Sequence, residues 1–585
     1  MKTALHHQFR FAAKIAALVI VGTCATVVAT YAMPPRHTLL EQANLPGAKN
    51  APVLISTADL HERGICTPDD FFTRFLNRPR PSASAAPTGS PFRILALLVK
   101  FSDHPSQVAP SFFDSLVFDS SGGSTVKKYF NEISNTQIDL ATVNLPSAVG
   151  WTTLDSSYAY YVNGQYGTGL TYPRNSQGLV EALVDKVNPS VDFSNYDNDG
   201  NGFVDVLLVI HSGTGAEVSG NAADIWSHKW SLQTPRLKDG VYISTYTVQP
   251  EFWSTPGDMT IGVYSHELCH GFGLPDLYDT YSGNGDSRGL GRWCIMAYGC
   301  WNGPSNLGES PSHPSAWSRI HMGLATPVNV TSNTSAQTIT PVESGGSIYR
   351  LWPGGAASGE YFLIENRRQT LYDSYLPGQG LLIYHVDSIA KNNDSAWWPG
   401  QPASRHYMVA LEQADGLWDL EHSSYNGDAA DPFPGSGSKT SFNSLSTPNS
   451  DSYLGGATSV AVNNITSSGA DIIADLVVGL AASVDPGTNS QPQSFTLAQN
   501  YPNPFNPSTI ISFELSAVSD VTLEVFNCKG QLVRTLFSGR AQAGLNSVTW
   551  DGTDTHGRES ATGVYFYRLT KDHSQELARK MVLVK

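Results

Sequence analysis

Apolar residues change their pattern three times along the chain. Arg93-Ile94-Leu95-Ala96-Leu97-Leu98-Val99 and Val204-Asp205-Val206-Leu207-Leu208-Val209-Ile210 are short apolar runs, which predict buried central strands. Some fifty residues after the second run, Thr260 to Phe272 reads as a helix, so residues 91–326 predict an α+β domain with a mixed sheet and packed helices. After about Thr326 the helical signals fade. Tyr361 to Glu365 and Gly380 to Val386 then alternate as strands do, and 327–480 reads as a β-sandwich. A polar Pro/Gly/Ser/Gln linker over 481–494 leads into Val521 to Phe526, Ser547 to Gly552 and Gly563 to Leu569. These short strands predict a small immunoglobulin-like all-β domain over 495–585.

The N-terminus has a different texture. Lys2, Arg10 and Lys14 precede an apolar stretch from Ile15 to Ala29 and small residues at Thr30-Tyr31-Ala32, the layout of a signal peptide over 1–32. Residues 33–90 read as a propeptide and linker, with a helical patch at Asp69 to Leu76 and a cuttable Arg78-Pro79-Arg80-Pro81 stretch. No later segment is apolar enough for a membrane span, so the mature form is expected to have no stable transmembrane segment and to be secreted or held at the cell surface. Charged residues make up 15% and the net charge is −15, which leaves no basic surface for phosphate and argues against nucleic acid as a partner. Of six cysteines, Cys24 falls in the signal peptide and five remain, an odd number. Cys269, Cys294 and Cys300 lie near one another in sequence and allow one disulfide. Cys66 reads as a buried thiol, with a zymogen switch as the alternative.

The chemistry concentrates in His266-Glu267-Leu268-Cys269-His270-Gly271-Phe272-Gly273-Leu274-Pro275-Asp276. On a helix His266 and His270 share one face and can converge on zinc. Glu267 projects beside that face and suits a general base acting on water. Gly273 can adopt a left-handed conformation and Pro275 blocks further helix, so the chain can turn back and bring Asp276 up as third ligand. Three protein ligands leave the fourth position open, as catalysis requires.

Downstream, Trp293-Cys294-Ile295-Met296-Ala297-Tyr298-Gly299 resembles the Met-turn of metzincins. The HExxHxxGxxD form resembles the immune inhibitor A family of secreted bacterial metalloproteases. That resemblance implies a metzincin-like catalytic domain with zinc on His266, His270 and Asp276, Glu267 as base and Met296 as the floor of the site. It suggests Tyr298 as an oxyanion donor, set against a packed tyrosine. Protein or peptide substrates follow. His211 and His228 recur in the family pattern but read as structural, because the zinc already has its ligands. Asp197, Asp199, Asn201 and Asp205 stand at the first, third, fifth and ninth places of a calcium loop, with Phe203 at the seventh and Gly200 at the sixth; Leu208 at the twelfth departs from a full EF-hand. Asp428 and Asp431 suggest either another calcium or a solvated loop. From Gln499 to Thr509 and at the final Arg579 to Lys585, the last domain resembles the type A sorting domain of type IX secretion cargo, implying outer-membrane secretion machinery as a partner. The competing reading is an inert surface adhesin that works through its two β-domains.

Overall fold

The computed structural model describes Met33 and Pro34, residues 91–479 apart from 281–286, 356, 391, 403–404 and 424, and residues 496–584 apart from 498–499, 501–504, 506, 516–517, 542–543 and 573–574. The expected signal peptide, the rest of the expected propeptide with its helical patch and Cys66, and the linker lie outside the described residues. The chain divides into two compact units, one to residue 479 and one from 480.

Seven strands open the first unit: β1 (Pro91–Arg93), β2 (Leu95–Phe101), β3 (Asp139–Ala141), β4 (Trp151–Leu154), β5 (Leu207–Thr214), β6 (His228–Lys238) and β7 (Val241–Phe252). β1 and β3 form a separate parallel pair, and the central sheet runs β4-β2-β5-β7-β6. Its first three pairings are parallel, and β6 at the edge is antiparallel to β7. Leu95 to Val99 are buried without alternation, as expected of a strand between two parallel neighbours. The second apolar run becomes strand only from Leu207. Its start at Val204-Asp205 is held instead by a loop, with Asp205 N–H donating to the Tyr196 carbonyl at 3.1 Å and the Asp205 carboxylate accepting the Asn198 N–H at 2.7 Å.

Helix α1 (Ser176–Val187), capped by the Asn175 side chain, packs against β4 and β6. Helix α2 (Gly262–Gly271) packs against β7, β6 and the turn Tyr298–Trp301. Residues 262–270 are all buried, so α2 is an interior helix with no wet face. It is shorter than the Thr260 to Phe272 span expected, because the Thr260 hydroxyl is taken by the Trp253 indole and the Leu307 carbonyl. Gly262 is required where it stands: a Cβ there would lie 2.0 Å from the Cys300 carbonyl oxygen.

Two further sheets follow. Strands β8 (Val328–Val330), β10 (Tyr349–Leu351), β11 (Glu360–Arg367), β12 (Gly380–Asp387) and β13 (Val409–Leu411) form one, ordered β13-β12-β11-β10-β8. Strands β9 (Thr334–Ile339), β14 (Ala461–Ser468) and β15 (Asp471–Val477) form the other, ordered β14-β15-β9. Phe362, Ile364, Leu381 and Ile383 face the smaller sheet and share its core. The alternate residues Tyr361, Leu363, Leu382 and Tyr384 belong instead to the core of the first 326 residues. The larger sheet is therefore apolar on both faces, and the expected boundary at 326 and 327 is not a packing boundary. Buried Arg367 crosses it: the guanidinium grips Asp373 in two bonds of 2.8 Å, reaches Glu365 at 3.1 Å and donates to the Trp293 carbonyl at 3.2 Å. Those partners compensate a charge that would be costly to bury alone.

A second buried charge in this region makes stability depend on pH. His385 sits between Glu360 at 2.8 Å and Glu412 at 3.1 Å, with Tyr453 stacked on its ring at 4.0 Å and His406, paired to Asp387, on the far face of Tyr453. Burial alone would lower the His385 pKa, but the two carboxylates outweigh it and raise it from 6.5 to about 9. A folded pKa above the unfolded one gives stability that is complete below pH 6.5 and is lost as pH rises toward 9, on the order of 3 kcal/mol. Urea midpoints measured from pH 6 to 9.5 should fall across that window, and the His385→Gln variant should show a flatter profile.

The second unit holds β16 (Thr496–Leu497), β17 (Thr509–Leu515), β18 (Ser519–Asn527), β19 (Leu532–Ala541), β20 (Gly544–Trp550), β21 (Gly563–Lys571) and β22 (Gln575–Leu583). Sheets β16-β17-β20 and β19-β18-β21-β22 enclose a core that includes Trp550, Tyr567, Leu569 and Met581. The three expected strands are present with shifted ends: β18 runs past both ends of Val521 to Phe526, β21 runs past Leu569, and β20 starts ahead of Ser547 but stops at Trp550, short of Gly552.

Candidate metal centre

Helix α2 presents His266 and His270 one turn apart, their rings 4.9 Å between centroids and nearly perpendicular. After the helix, Gly273 takes φ +89°, and its N–H and that of Leu274 bond back to the His270 and Cys269 carbonyls at 2.9 and 3.2 Å. This reversal carries Asp276 to the histidines: its Oδ1 lies 3.2 Å from His266 Nε2 and 3.4 Å from His270 Nε2. All three side chains are buried.

The hydrogen-bonding state of the rings decides what these distances mean. His266 Nδ1 is 2.7 Å from the Ile295 carbonyl and His270 Nδ1 is 2.7 Å from the Leu274 carbonyl. A carbonyl only accepts, so each Nδ1 carries a proton, and in the neutral tautomer that this fixes each Nε2 presents a lone pair. Burial also lowers the His270 pKa, favouring the neutral ring. Two lone pairs thus face a carboxylate, and neither Nε2 nor either Asp276 oxygen has a hydrogen-bond partner. Left so, the cluster would be costly; a cation among the three atoms resolves it. Ligands about 2.0–2.1 Å from a tetrahedral ion stand roughly 3.3 Å apart, which fits the observed separations. The donor set of two imidazoles and one carboxylate fits zinc, and the Nδ1 bonds to carbonyls are the orienting contacts a metal-binding histidine uses.

Glu267 is next to the first ligand, buried, with both carboxylate oxygens unpartnered. Burial, with Asp276 and Glu217 adding, pushes its carboxyl well above the usual range. A positive charge beside it would reverse that shift and restore a base. The segment around Met296 is fastened to both sides of the site, since the Ile295 carbonyl accepts from the His266 ring and the Met296 carbonyl accepts the Leu277 N–H at 2.8 Å. Met296 itself is fully buried. Tyr298 is buried too, and the Arg288 guanidinium donates to its hydroxyl at 2.9 Å while lying 5.1 Å from its ring centroid. Arg288 N–H bonds the Leu420 carbonyl at 2.7 Å, so a loop beyond residue 326 helps place this pair. The sequence offered no signal for Arg288, which lies in an irregular segment ten residues from Tyr298.

Residues 91–325 match the model of the immune inhibitor A peptidase M6 catalytic domain. Pre-pro-metalloprotease PrtV of Vibrio cholerae is 27% identical over 281 residues, covering 39% of this chain and 29% of its own length. Immune inhibitor A of Bacillus thuringiensis subsp. alesti is 31% identical over 210 residues, covering 31% of this chain and 29% of its own. These matches support an M6 metalloprotease. This chain spans under a third of the length of either relative. Residues 501–575 match the model of the FlgD Ig-like domain. Among solved structures, dimeric latent PorU from Porphyromonas gingivalis is 17% identical over 21% of this chain and 12% of its own, with a TM-score of 0.14.

A separate acidic group lies in the M6-matched segment. Asp197, Asp199 and Asp205 bring carboxylate oxygens within 4.8 Å of one another. Asn201 Oδ1 instead accepts the Phe203 N–H at 2.9 Å. Burial raises the Asp205 pKa to about 6. His211 and His228 are buried with Nδ1 on the carbonyls of Ser212 and Trp226, and burial lowers them to about 3 and about 4. Cys269, Cys294 and Cys300 are free and buried, so the disulfide expected among them is not formed. Two of them serve their own turns, Cys294 Sγ accepting the Met296 and Ser315 N–H at 3.4 Å and Cys300 Sγ donating to the Ala297 carbonyl at 3.2 Å. Beyond the segment, Asp415 joins Asp428 and Asp431 in a third acidic group, where Asp431 also accepts the Trp293 indole N–H at 2.9 Å.

Proposed function

We propose that this chain is an exported zinc-dependent endopeptidase with a metzincin-like catalytic domain. The reading is carried by one observation: two imidazole Nε2 atoms, their rings anchored through Nδ1 to backbone carbonyls, meet a carboxylate in a buried site. Zinc held by His266, His270 and Asp276 would supply Lewis acidity toward a peptide carbonyl and water. Glu267 takes the proton of the attacking water and passes it to the departing amine. Met296 braces the ligands from beneath. Tyr298, held by Arg288, offers its hydroxyl to the oxyanion as the carbonyl turns tetrahedral. The antiparallel edge strand β6, next to α2, supports binding of an extended substrate along the sheet.

Calcium at Asp197, Asp199 and Asp205, with Asn201 and the Phe203 carbonyl completing the shell, would relieve repulsion among three carboxylates and stiffen the approach to β5. Residues 1–32 act as the export signal, 33–90 as a propeptide, and the C-terminal domain as the address read by outer-membrane secretion machinery. Protein or peptide chains are the substrates.

Digestion of unfolded casein by the full chain, with products mapped by mass spectrometry, tests the reading. Internal cuts that a chelator abolishes are expected. Metal-independent attachment to cells or polymers with no cuts would favour the adhesin alternative.

A further inference from the structure

Met33 and Pro34 are seated in the first unit. Met33 is fully buried within the main core; its carbonyl accepts the Trp226 indole N–H at 3.0 Å, and the Pro34 carbonyl accepts the Trp301 indole N–H at 2.8 Å. We propose that the slot between Trp226 and Trp301 is a subsite for a peptide bearing an apolar side chain of methionine size without a β-branch, and that Met33 fills it in the uncleaved chain. The proposal rests on the endopeptidase reading for what the occupant becomes, a substrate, and on the contacts alone for the slot itself.

The position of the slot carries the first part. Trp226 stands two residues before His228, where edge strand β6 begins. Trp301 ends the turn that starts at Tyr298 and packs on Trp253 at 5.3 Å, whose indole N–H reaches Thr260 just ahead of α2. Helix α2 touches both β6 and that turn. The two indoles therefore come from the two elements that flank the metal-bearing helix, and a segment bonded to both spans from the sheet edge to the Met-turn.

The chemistry of the occupant carries the second. Pro34 and, in sequence, Pro35 narrow the backbone freedom of the residue before them, and the chain bends at Met33. The successive carbonyls of Met33 and Pro34 are captured by two separate indoles. Both prolines lack an N–H, so the segment offers acceptors, while an indole nitrogen only donates. Met33, anchored beside these indoles through its backbone, is buried completely in the main core, which marks a pocket shaped to its side chain, and a thioether resembles leucine more than it does a β-branched or charged group.

The slot is tested apart from catalysis on the full chain, freed of metal. Met33→Asp places a charge in the pocket and should eject the segment; Met33→Gly vacates the pocket without a charge should the aspartate disturb folding. Acetyl-Met-Pro-Pro-Arg-amide, titrated calorimetrically, should bind either variant and not the wild type. Adding Trp226→Phe or Trp301→Phe, which keeps an aromatic ring and deletes the N–H, should weaken binding at least about tenfold each, a loss within the range for removing one buried hydrogen-bond donor. Failure of the peptide to bind, or equal binding with the phenylalanines in place, overturns the subsite. In metal-loaded protein, a peptide library should be cut with methionine or leucine enriched at one fixed position and with KM, rather than kcat, rising in the Trp→Phe variants. Peptide binding without any cutting would retain the slot and refute the endopeptidase reading; cutting with no such enrichment would retain the endopeptidase and refute the slot.

Discussion

Glu267→Gln should abolish peptide cleavage while leaving the metal in place. The substitution is nearly isosteric, and the site around it is a buried helix with no room to rearrange. Glutamine cannot take a proton from water, so the step that makes the nucleophile and the step that protonates the departing amine both lose their carrier. General acid and base catalysis is worth about 10²–10⁴-fold, and a residue serving in both directions belongs at the upper end, so kcat should fall by roughly 10³-fold or more. Folding should improve slightly in the metal-free protein, because burying Glu267 disfavours its charged form and requires proton uptake, which a neutral amide does not. Steady-state kinetics and metal analysis on the same preparation give the answer. Loss of metal together with activity would assign Glu267 a place among the ligands instead.

Asp276→Ala should have the opposite signature, losing metal first and activity as a consequence. His266 and His270 alone leave two donors, and even the outer partners of metal ligands are worth 10–100-fold in affinity, so deleting a ligand should cost at least about 100-fold. Stability separates this from simple damage. In the metal-free wild type the fully buried Asp276 carboxylate has only the two imidazole Nε2 atoms, at 3.2 and 3.4 Å, against the cost of its burial. Removing the carboxylate should leave the metal-free melting temperature unchanged or higher, while the rise in melting temperature on adding zinc, which follows from mass action on the folded state, should disappear.

The convergence of the candidate metal ligands was legible because it is written in local spacing. His266 and His270 meet through the pitch of one helix, and Asp276 arrives through a single left-handed glycine, Gly273 at φ +89°. Nothing comparable announces Arg288, Trp226 or Trp301. Each acts across loops that carry no periodicity, and each is fixed by a partner far away in sequence, as Trp301 is by Pro34. The boundary near residue 326, beside which the peptidase match also ends, is crossed by packing that the sequence does not announce. Tyr361, Leu363 and Phe362, Ile364 are apolar on both faces of one strand, which states that the sheet is covered twice but not by what. The strand expected from Val204 begins at Leu207 because Asp205 is committed to the acidic loop, a tertiary use that an apolar run cannot report. The cysteines show the same limit: proximity in sequence placed Cys269, Cys294 and Cys300 together, yet Cys294 and Cys300 are oriented by the turns they support.

Zinc titration of the metal-stripped full chain, with bound metal and casein cleavage read from each sample, tests the central claim most directly. Activity should be absent without metal and rise in step with occupancy of a site that Asp276→Ala removes. Full cleavage by the stripped chain, or cleavage that Asp276→Ala leaves intact, would contradict it.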